Sequence, residues 1–300
     1  MTCFVPVQGR PDVCQGHDRR TAHSGRRFWS RLASTCVLLA AIGSPVVAFA
    51  APLDLNLRGF YDPNRPPAEA TPNGAYSALM SEMALILGSK MVGPGQSLGA
   101  LGMEAALEMS FVQTNSTADY WKNSVAKPAS TVATTQMRVR KGLPYAMQVG
   151  AVLTHLIDSN LWAIGAELNM SLVDGYVSVP DLCLRTSVQS VLGHSDISML
   201  IVGADLVLSK SFGVGGVLSL QPWGAYSFNY SNVTTRQLEV YPNDTTLEPD
   251  LELLKAVNNV SHRAAFGMRL VVTHVSIGGE FLRSFTDGLS VFTGKISLDF

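Results

Sequence analysis

The sequence predicts an all-β fold: a transmembrane, antiparallel, up-and-down β-barrel of about ten strands, twelve being the other count the pattern allows, preceded by a short N-terminal helical segment. Three observations carry this. From residue 99 to residue 300 the chain alternates apolar and polar side chains with the period of two that a strand imposes. Charges well inside these segments fall on one parity. Long and short connections alternate along the chain, as they do when one end of a barrel carries turns and the other carries loops.

The strands follow in order. In the first, Leu101, Met103, Ala105, Leu107, Met109 and Phe111 oppose Glu104, Glu108 and Ser110. The second, near 131–141, sets Ala133, Met137 and Val139 against Gln136, Arg138 and Arg140. The third carries Tyr145, Met147, Val149, Ala151 and Leu153 outward, and the fourth opposes Trp162, Ile164, Ala166, Leu168 and Met170 to Glu167 and Asn169. Leu182, Leu184 and Val188 face away from Cys183, Arg185 and Gln189 in the fifth; Leu200, Val202, Leu206 and Leu208 face away from Asp205 in the sixth. The seventh runs from Val214 through Leu218 and Leu220 towards Tyr226 and Phe228. The eighth opposes Ala264, Phe266, Met268 and Leu270 to Arg263 and Arg269, and the ninth Val275, Ile277 and Phe281 to Ser276 and Glu280. In the tenth, Phe292, Gly294, Ile296, Leu298 and Phe300 oppose Val291, Thr293, Lys295, Ser297 and Asp299.

The charges Glu104, Glu108, Arg138, Arg140, Glu167, Arg185, Asp205, Arg263, Arg269, Glu280 and Lys295 thus share the inward parity and are expected to line the lumen. A charge on the lipid face near the bilayer midplane costs roughly 2–4 kcal/mol, so one-sided placement is what a membrane barrel demands. The connections 115–130 and 231–258 are long and fall on one end; 141–144, 209–213 and 272–274 are short and fall on the other. A soluble sandwich also alternates, but its apolar face points inward.

The last strand, ending in Phe300, resembles the C-terminal strand of bacterial outer-membrane β-barrels. That resemblance implies the cell outer membrane as location, outer-membrane lipid and the barrel insertion machinery as partners, and Phe300 as the insertion signal. Ser209-Lys-Ser-Phe-Gly-Val-Gly-Gly, followed by Gln221-Pro-Trp-Gly-Ala-Tyr, resembles a hairpin of uncharacterised myxobacterial-type outer-membrane barrels, a likeness covering about 75–300. It implies fold and location and no activity.

Residues 1–50 read as a signal peptide: basic residues up to Arg31, an apolar stretch Cys36-Val-Leu-Leu-Ala-Ala-Ile-Gly, and Ala48-Phe49-Ala50 as the cleavage site. Secretion through the inner membrane would remove six of the 22 basic and two of the 23 acidic residues, leaving a net charge of about −5. That composition gives no reason to expect nucleic acid as a partner. Only Cys183 of the four cysteines lies beyond residue 50, which excludes an internal disulfide framework in the remainder. The uncharged run 211–235 is broken by glycines and Pro222 and reads as strand.

Residues 51–98 are a Pro-rich lead-in with a helix over 75–90, in which Leu79, Met83, Ile86 and Leu87 share a face and Gly88 stands at the end. The helix is expected to lie against the periplasmic base of the barrel; a plug inside the lumen is the alternative. Residues 99–300 form the barrel.

Catalysis is not expected. His194, Ser195 and Asp196 are neighbours in one tight turn, which does not make a triad, and the other histidines (His155, His262, His274) lie near strand ends. No spacing suggests a metal or a nucleotide, so no cofactor is expected. Tyr145, Trp162, Trp223, Tyr226, Phe228, Phe266, Phe281, Phe292 and Phe300 are expected to face lipid headgroups as a girdle. Two functions remain open. One is a narrow porin-like channel for small polar solutes. The other is a closed structural or adhesive barrel that meets a surface partner through its long loops. Five acids and six bases inside a ten-stranded tube suit either a wet passage or a salt-bridged seal.

Overall fold

The computed structural model describes residues 52–57, 73–90, 93–176, 178–215, 218–235 and 256–300. The expected signal peptide and most of the lead-in between 58 and 72 lie outside the described residues. A helix, α1 (Asn73–Leu87), precedes β1 (Met103–Gln113); a short helix, α2 (Asp119–Ser124), follows it. Then come β2 (Thr131–Leu143), β3 (Met147–Leu156), β4 (Trp162–Val173), β5 (Asp181–Leu192), β6 (Ile197–Ser209), β7 (Phe212–Val214), β8 (Leu218–Thr235), β9 (Val257–Val272), β10 (Val275–Ser284) and β11 (Ser290–Asp299).

Ten of these strands close into an antiparallel barrel. Neighbours in sequence pair with one another, β11 returns to β1 from Glu104↔Asp299 to Val112↔Val291, and β6 pairs with β8 from Ile197↔Thr235 to Ser209↔Trp223. The three-residue β7 stands outside the ring, pairing with the start of β8 before β8 meets β6. The sequence reads 214–228 as one strand; in the structure Phe212–Val214 instead pairs back on Leu218–Leu220 as a small hairpin, and β8 then enters the ring.

We call the end where β1 begins and β11 finishes the near end. The connections there are short, Thr273–His274 between β9 and β10 being an example, whereas both long connections sit at the far end. The first of these contains α2. The second lies mostly outside the described residues.

Side-chain burial alternates residue by residue, without a break over the thirteen residues of β6. The exposed parity is apolar: Leu107, Phe111, Met137, Val139, Ile164, Leu206, Phe266 and Ile277 all point away from the barrel. Near the far end Phe266, Phe281, Phe292 and Phe111 sit in register on four successive strands, with the Phe266 and Phe281 rings 5.3 Å apart. Cross-strand aromatic pairs of this kind stabilise a sheet face. Trp223 departs from the expected girdle. Its parity turns it inward, where it is buried and its indole covers the backbone of its β9 partner Gly267.

The interior has two layers. Towards the near end and at mid-height the inward side chains are charged or polar. Towards the far end they are apolar: Val112, Val132, Leu156, Val191, Ile197, Met199, Ile201, Val233 and Val291 are all buried. Eight strands enclose a space that side chains can fill, and ten enclose more. Helix α1 takes up the difference. The sequence reading sets this helix beneath the barrel; in the structure it lies inside, against β2, β3, β8 and β9. Tyr76, Leu79, Met80, Leu85, Ile86 and Leu87 are each at most 1% exposed. A helix this apolar, with Ser77, Ser81 and Glu82 as the polar side chains between Gly74 and Leu87, is stable when surrounded, and the apolar far layer surrounds most of it.

The close seat of Trp223 yields a test. A Cβ built on Gly267 would run into the indole and lie 2.6 Å from the Gly279 carbonyl oxygen. Gly267→Val is expected to destabilise the barrel by about 1–3 kcal/mol, the usual range for overpacking, read as a lower temperature for the loss of heat-modifiable gel mobility.

Candidate functional site: the filled lumen

Helix α1 ends at Leu87, and its last carbonyls need partners because no further turn supplies amides. Lys90 answers them. Buried completely, its Nζ donates to the carbonyls of Leu85 (2.6 Å), Ile86 (2.9 Å) and Gly88 (3.0 Å). All three ammonium hydrogens are thus used, and the positive charge sits at the negative end of the helix dipole. The Lys90 carbonyl in turn accepts from Arg138 Nη2 (2.9 Å) on β2 and Arg185 Nη2 (3.0 Å) on β5. One residue therefore closes the helix and ties it to two walls of the barrel.

Around this point the charges join. Lys295 of β11 pairs with Glu104 of β1; Glu104 pairs with Arg140 of β2 (3.4 Å); Arg140 pairs with Glu167 of β4 (2.6 Å). Glu167 also meets Arg138 (3.5 Å), which meets Glu108 (2.7 Å). Arg140 and Glu167 stand on strands separated by β3, in register through Gly150. A Cβ at Gly150 would come within 2.9 Å of the Glu167 side chain and 3.1 Å of Arg140. The missing side chain is what lets the two meet. Two further pairs, Arg185–Asp205 (2.8 Å) and Arg269–Asp299 (2.5 Å), stand apart from the chain. Arg263 donates to Ser261 Oγ (3.2 Å), and Glu280 accepts from the Trp223 indole (3.4 Å).

The far end of the plug is fastened to the loops. Glu82, in the second half of α1, accepts from Tyr120 Oη (2.5 Å), Trp121 Nε1 (2.6 Å) and the Asn115 amide (3.2 Å), all in the β1–β2 connection. Burial, and then the Glu82 carboxylate beside it, pushes the Tyr120 phenol above its usual range. Ser81 donates to Asp287 (2.6 Å) between β10 and β11, and Ser77 to Asn259 (2.7 Å) on β9.

Past Lys90 the chain continues to the near end. Gly95 donates to Ser209 Oγ (3.0 Å) and its carbonyl accepts from Ser171 (2.8 Å). Gln96 accepts from Gln148 (3.1 Å) at its carbonyl and from Ser211 (2.9 Å) and Gln221 (3.1 Å) at its side-chain oxygen. The Ser97 amide donates to Asp174 (3.1 Å).

The eleven charges read from the sequence are all buried on the inward parity. Six of them form the one ion-paired chain: Glu104, Glu108, Arg138, Arg140, Glu167 and Lys295. The sequence reading missed Glu82 and Lys90, which lie outside the strands. The signal for Lys90 is a basic residue just past Gly88 at a helix end, the ordinary place for a cation to cap carbonyls. Phe300 is exposed, and its backbone exchanges two hydrogen bonds with Met103 (2.8 and 2.9 Å), completing the β11–β1 seam.

The turn His194–Asp196 is held by other contacts. His194 Nε2 lies 2.9 Å from the Leu55 carbonyl, its Nδ1 accepts the Asp196 amide (3.1 Å), and Ser195 Oγ donates to Asp196 (2.7 Å). The imidazole is thus engaged with the backbone rather than with the Ser195 hydroxyl. A hollow of about 240 Å³ opens beside this turn at the far mouth, lined by Asp54, Asn160, His194 and Asp196 among others.

No protein-family model matches the chain, and no curated protein matches it. Among solved structures it is similar to bacterial outer-membrane β-barrels. The outer membrane protein Omp33 of Acinetobacter baumannii is 9% identical, with 68% of this chain and 100% of that one covered and a TM-score of 0.29. Ail, the attachment invasion locus protein of Yersinia pestis, is 10% identical over 66% and 97%, with a TM-score of 0.26. The KdgM porin is 9% identical over 67% and 99%, with a TM-score of 0.28.

The latch at Lys90 is directly testable. Lys90→Met keeps the aliphatic stem and removes the ammonium, leaving the helix carbonyls of Leu85 and Ile86 without its donors and the Gly88 carbonyl with Gln136 Nε2 (3.4 Å) alone. Each unanswered buried group costs about 1–3 kcal/mol. The variant is expected to lose at least that much stability, measured by urea titration of the refolded barrel in lipid vesicles.

Proposed function

We propose that this protein is a closed barrel of the bacterial outer membrane, anchoring its far-end connections for contact with a partner outside the cell rather than conducting solutes. The observation that carries this reading is the filled lumen. Helix α1 occupies the apolar far half, and residues 88–90 and 93–97 lie among the charges of the near half, the backbone groups of Lys90, Gly95 and Gln96 bonded to β2, β3, β4, β5 and β6. A passage for small polar solutes needs a hydrated column. Here the column is taken by the chain itself, and most of the inward charges bond to one another or to the plug, while Arg263 and Glu280 bond to Ser261 and Trp223 of the wall.

Membrane placement is supported by the outward face. Large apolar side chains cover it, and aromatic rings sit in rows, as at a headgroup boundary. The loop asymmetry supports an orientation with the near end in the periplasm and the far end outside. The 209–226 hairpin that resembles myxobacterial-type barrels lies at the near end and suits the same placement. No catalytic role is proposed, because the one Ser–His–Asp neighbourhood is engaged in holding a turn. The partner is assigned only to the far-end surface, built among the described residues from α2 and the short connections 157–161 and 193–196.

Two measurements test the reading. Full-length protein refolded in planar bilayers, restricted to material whose gel mobility shifts on heating, is expected to be electrically silent. Discrete, reproducible conductance steps would overturn the closed barrel in favour of the channel. For membrane placement, Leu107→Arg puts a charge on the outward face at the middle of β1 and is expected to cost about 2–4 kcal/mol in vesicles. An unchanged stability would remove lipid from that face.

A further inference from the structure

The direction in which the plug runs has a topological result. Residues 52–57 lie at the far mouth. The Leu53 amide donates to Asp158 (3.0 Å) in the β3–β4 connection, the Asn56 amide donates to Ser124 (2.6 Å), and the Lys127 amide donates to Pro52 (3.3 Å), the last two contacts joining the β1–β2 connection. The Leu55 carbonyl meets His194 (2.9 Å) in the β5–β6 connection. Asp54 accepts from the amide and side chain of Asn160 (both 2.8 Å) and from Ser159 (3.3 Å). Three far-end connections thus hold one short segment.

The seating is patterned as well as bonded. Leu53, Leu55 and Leu57 are buried, while Pro52 before them and Asn56 between the last two are exposed and Asp54 is half-buried. That is the alternation of an extended segment laid with one face on an apolar floor. Leu55, with Met80 and Met83 of α1 and Leu161, Val191, Ile197 and Met199 of the barrel, lines a cleft of only about 10 Å³.

From there α1 stands in the far half of the lumen, Lys90 sits at mid-height between Arg138 and Arg185, and Gly95 to Ser97 reach Ser209, Gln148 and Asp174 at the near end, where β1 starts. The chain therefore passes once through the barrel, far to near, before its first strand. Both ends of the strand ring, the start of β1 and the finish of β11, are at the near end. Residues 52–57 are at the other.

The geometry points to a barrel that carries its own N-terminal segment across the membrane it spans and presents residues 52–57 on the far side. In the orientation proposed above, on which this inference rests, that side is the cell exterior. The function added is delivery: the lumen is the route by which a peptide of this same chain reaches the surface, and α1, with Lys90 as its latch, holds it there once it has passed. The leucine-lined lid and the Asp54 clamp then form part of the external surface.

The test is cysteine accessibility in intact cells producing the full chain, probed with a membrane-impermeant maleimide. Every variant also carries Cys3→Ser, Cys14→Ser and Cys36→Ser, so that Cys183, which is buried, is the silent background. Three single variants are compared: Asn56→Cys on the segment, Asp119→Cys on α2 at the far end, and His274→Cys in the near-end turn, all at exposed positions. The expected result is labelling of Asn56→Cys and Asp119→Cys in intact cells, and of His274→Cys only after the outer membrane is permeabilised. Labelling of Asp119→Cys without Asn56→Cys would overturn the threading while leaving the barrel's orientation intact. Labelling of His274→Cys without Asp119→Cys would overturn the orientation, and silence of all three until lysis would overturn the outer-membrane reading and this inference with it. Should Asn56→Cys fail the heat-modifiability check, Pro52→Cys, also exposed, takes its place.

Discussion

Lys90 stands where three requirements of this structure meet. A helix inside a barrel has carbonyls at its end that neither water nor a further turn can satisfy. A cluster of inward arginines needs acceptors. The chain must also change from helix to an extended run that fits among charged side chains. The Lys90 ammonium supplies the first, its carbonyl the second, and its position the third. With that residue in place the helix can end inside the lumen, and the barrel can be ten strands wide without holding a column of water.

The two-layered interior follows from the same filling. Where α1 lies, the inward wall is apolar, so helix and wall bury each other's surface as any core does. Where the chain runs extended, its exposed amides and carbonyls demand polar neighbours, and the wall is lined by Ser171, Ser209, Gln148, Gln221 and the arginines. Burying ion pairs is not in itself stabilising, since desolvation offsets much of their attraction. Their value here is geometric. The chain from Lys295 through Glu104, Arg140 and Glu167 to Arg138 and Glu108 ties β11, β1, β2 and β4 together and leaves Arg138 aimed at the plug. Gly150 belongs to this logic, because only an absent side chain lets an arginine on β2 reach a glutamate on β4.

Most of the barrel was legible in the sequence because a membrane imposes a one-sided cost on every strand. Lipid forbids charge on the outward parity, so Glu104 to Lys295 could be assigned to the inside with no structure at hand. The plug stands in the sequence only as the alternative to a helix beneath the barrel, because its signal appears as a failure of that same alternation. At the far ends both parities turn apolar, as in Met199-Leu200-Ile201-Val202, Phe111-Val112 and Val191-Leu192. A water-filled mouth would not have its inward side chains there apolar. Helix α1 carries the matching sign: besides the face formed by Leu79, Met83, Ile86 and Leu87, it has Met80, Ala84 and Leu85 on its other sides. A helix resting against a barrel base would keep one polar face. Trp223 departs from the girdle for a simpler reason: its aromatic character suits the headgroup boundary, but its parity is that of the inward residues of β8.

A plug of this kind differs from a separate domain dropped into a pore, because its two ends are tethered at opposite mouths. One end is continuous with β1 at the near end. The other is clamped by Asp54 and by backbone hydrogen bonds to three far-end connections. Pulling the helix towards the near end must break the bonds of Ser77, Ser81 and Glu82 to β9 and the far-end connections and draw the helix's leucines through the charged layer. Pulling it towards the far end is opposed by Lys90, by Gly95 against Ser209 and Ser171, and by the covalent join to the first strand. Neither path is a small hinge motion, and neither leaves the other fastening intact. A gate that opened and closed in service would be expected to have one free end and a smooth face to slide on. This segment has neither, which is why the lumen is better understood as a place where the chain is held than as one through which other molecules move.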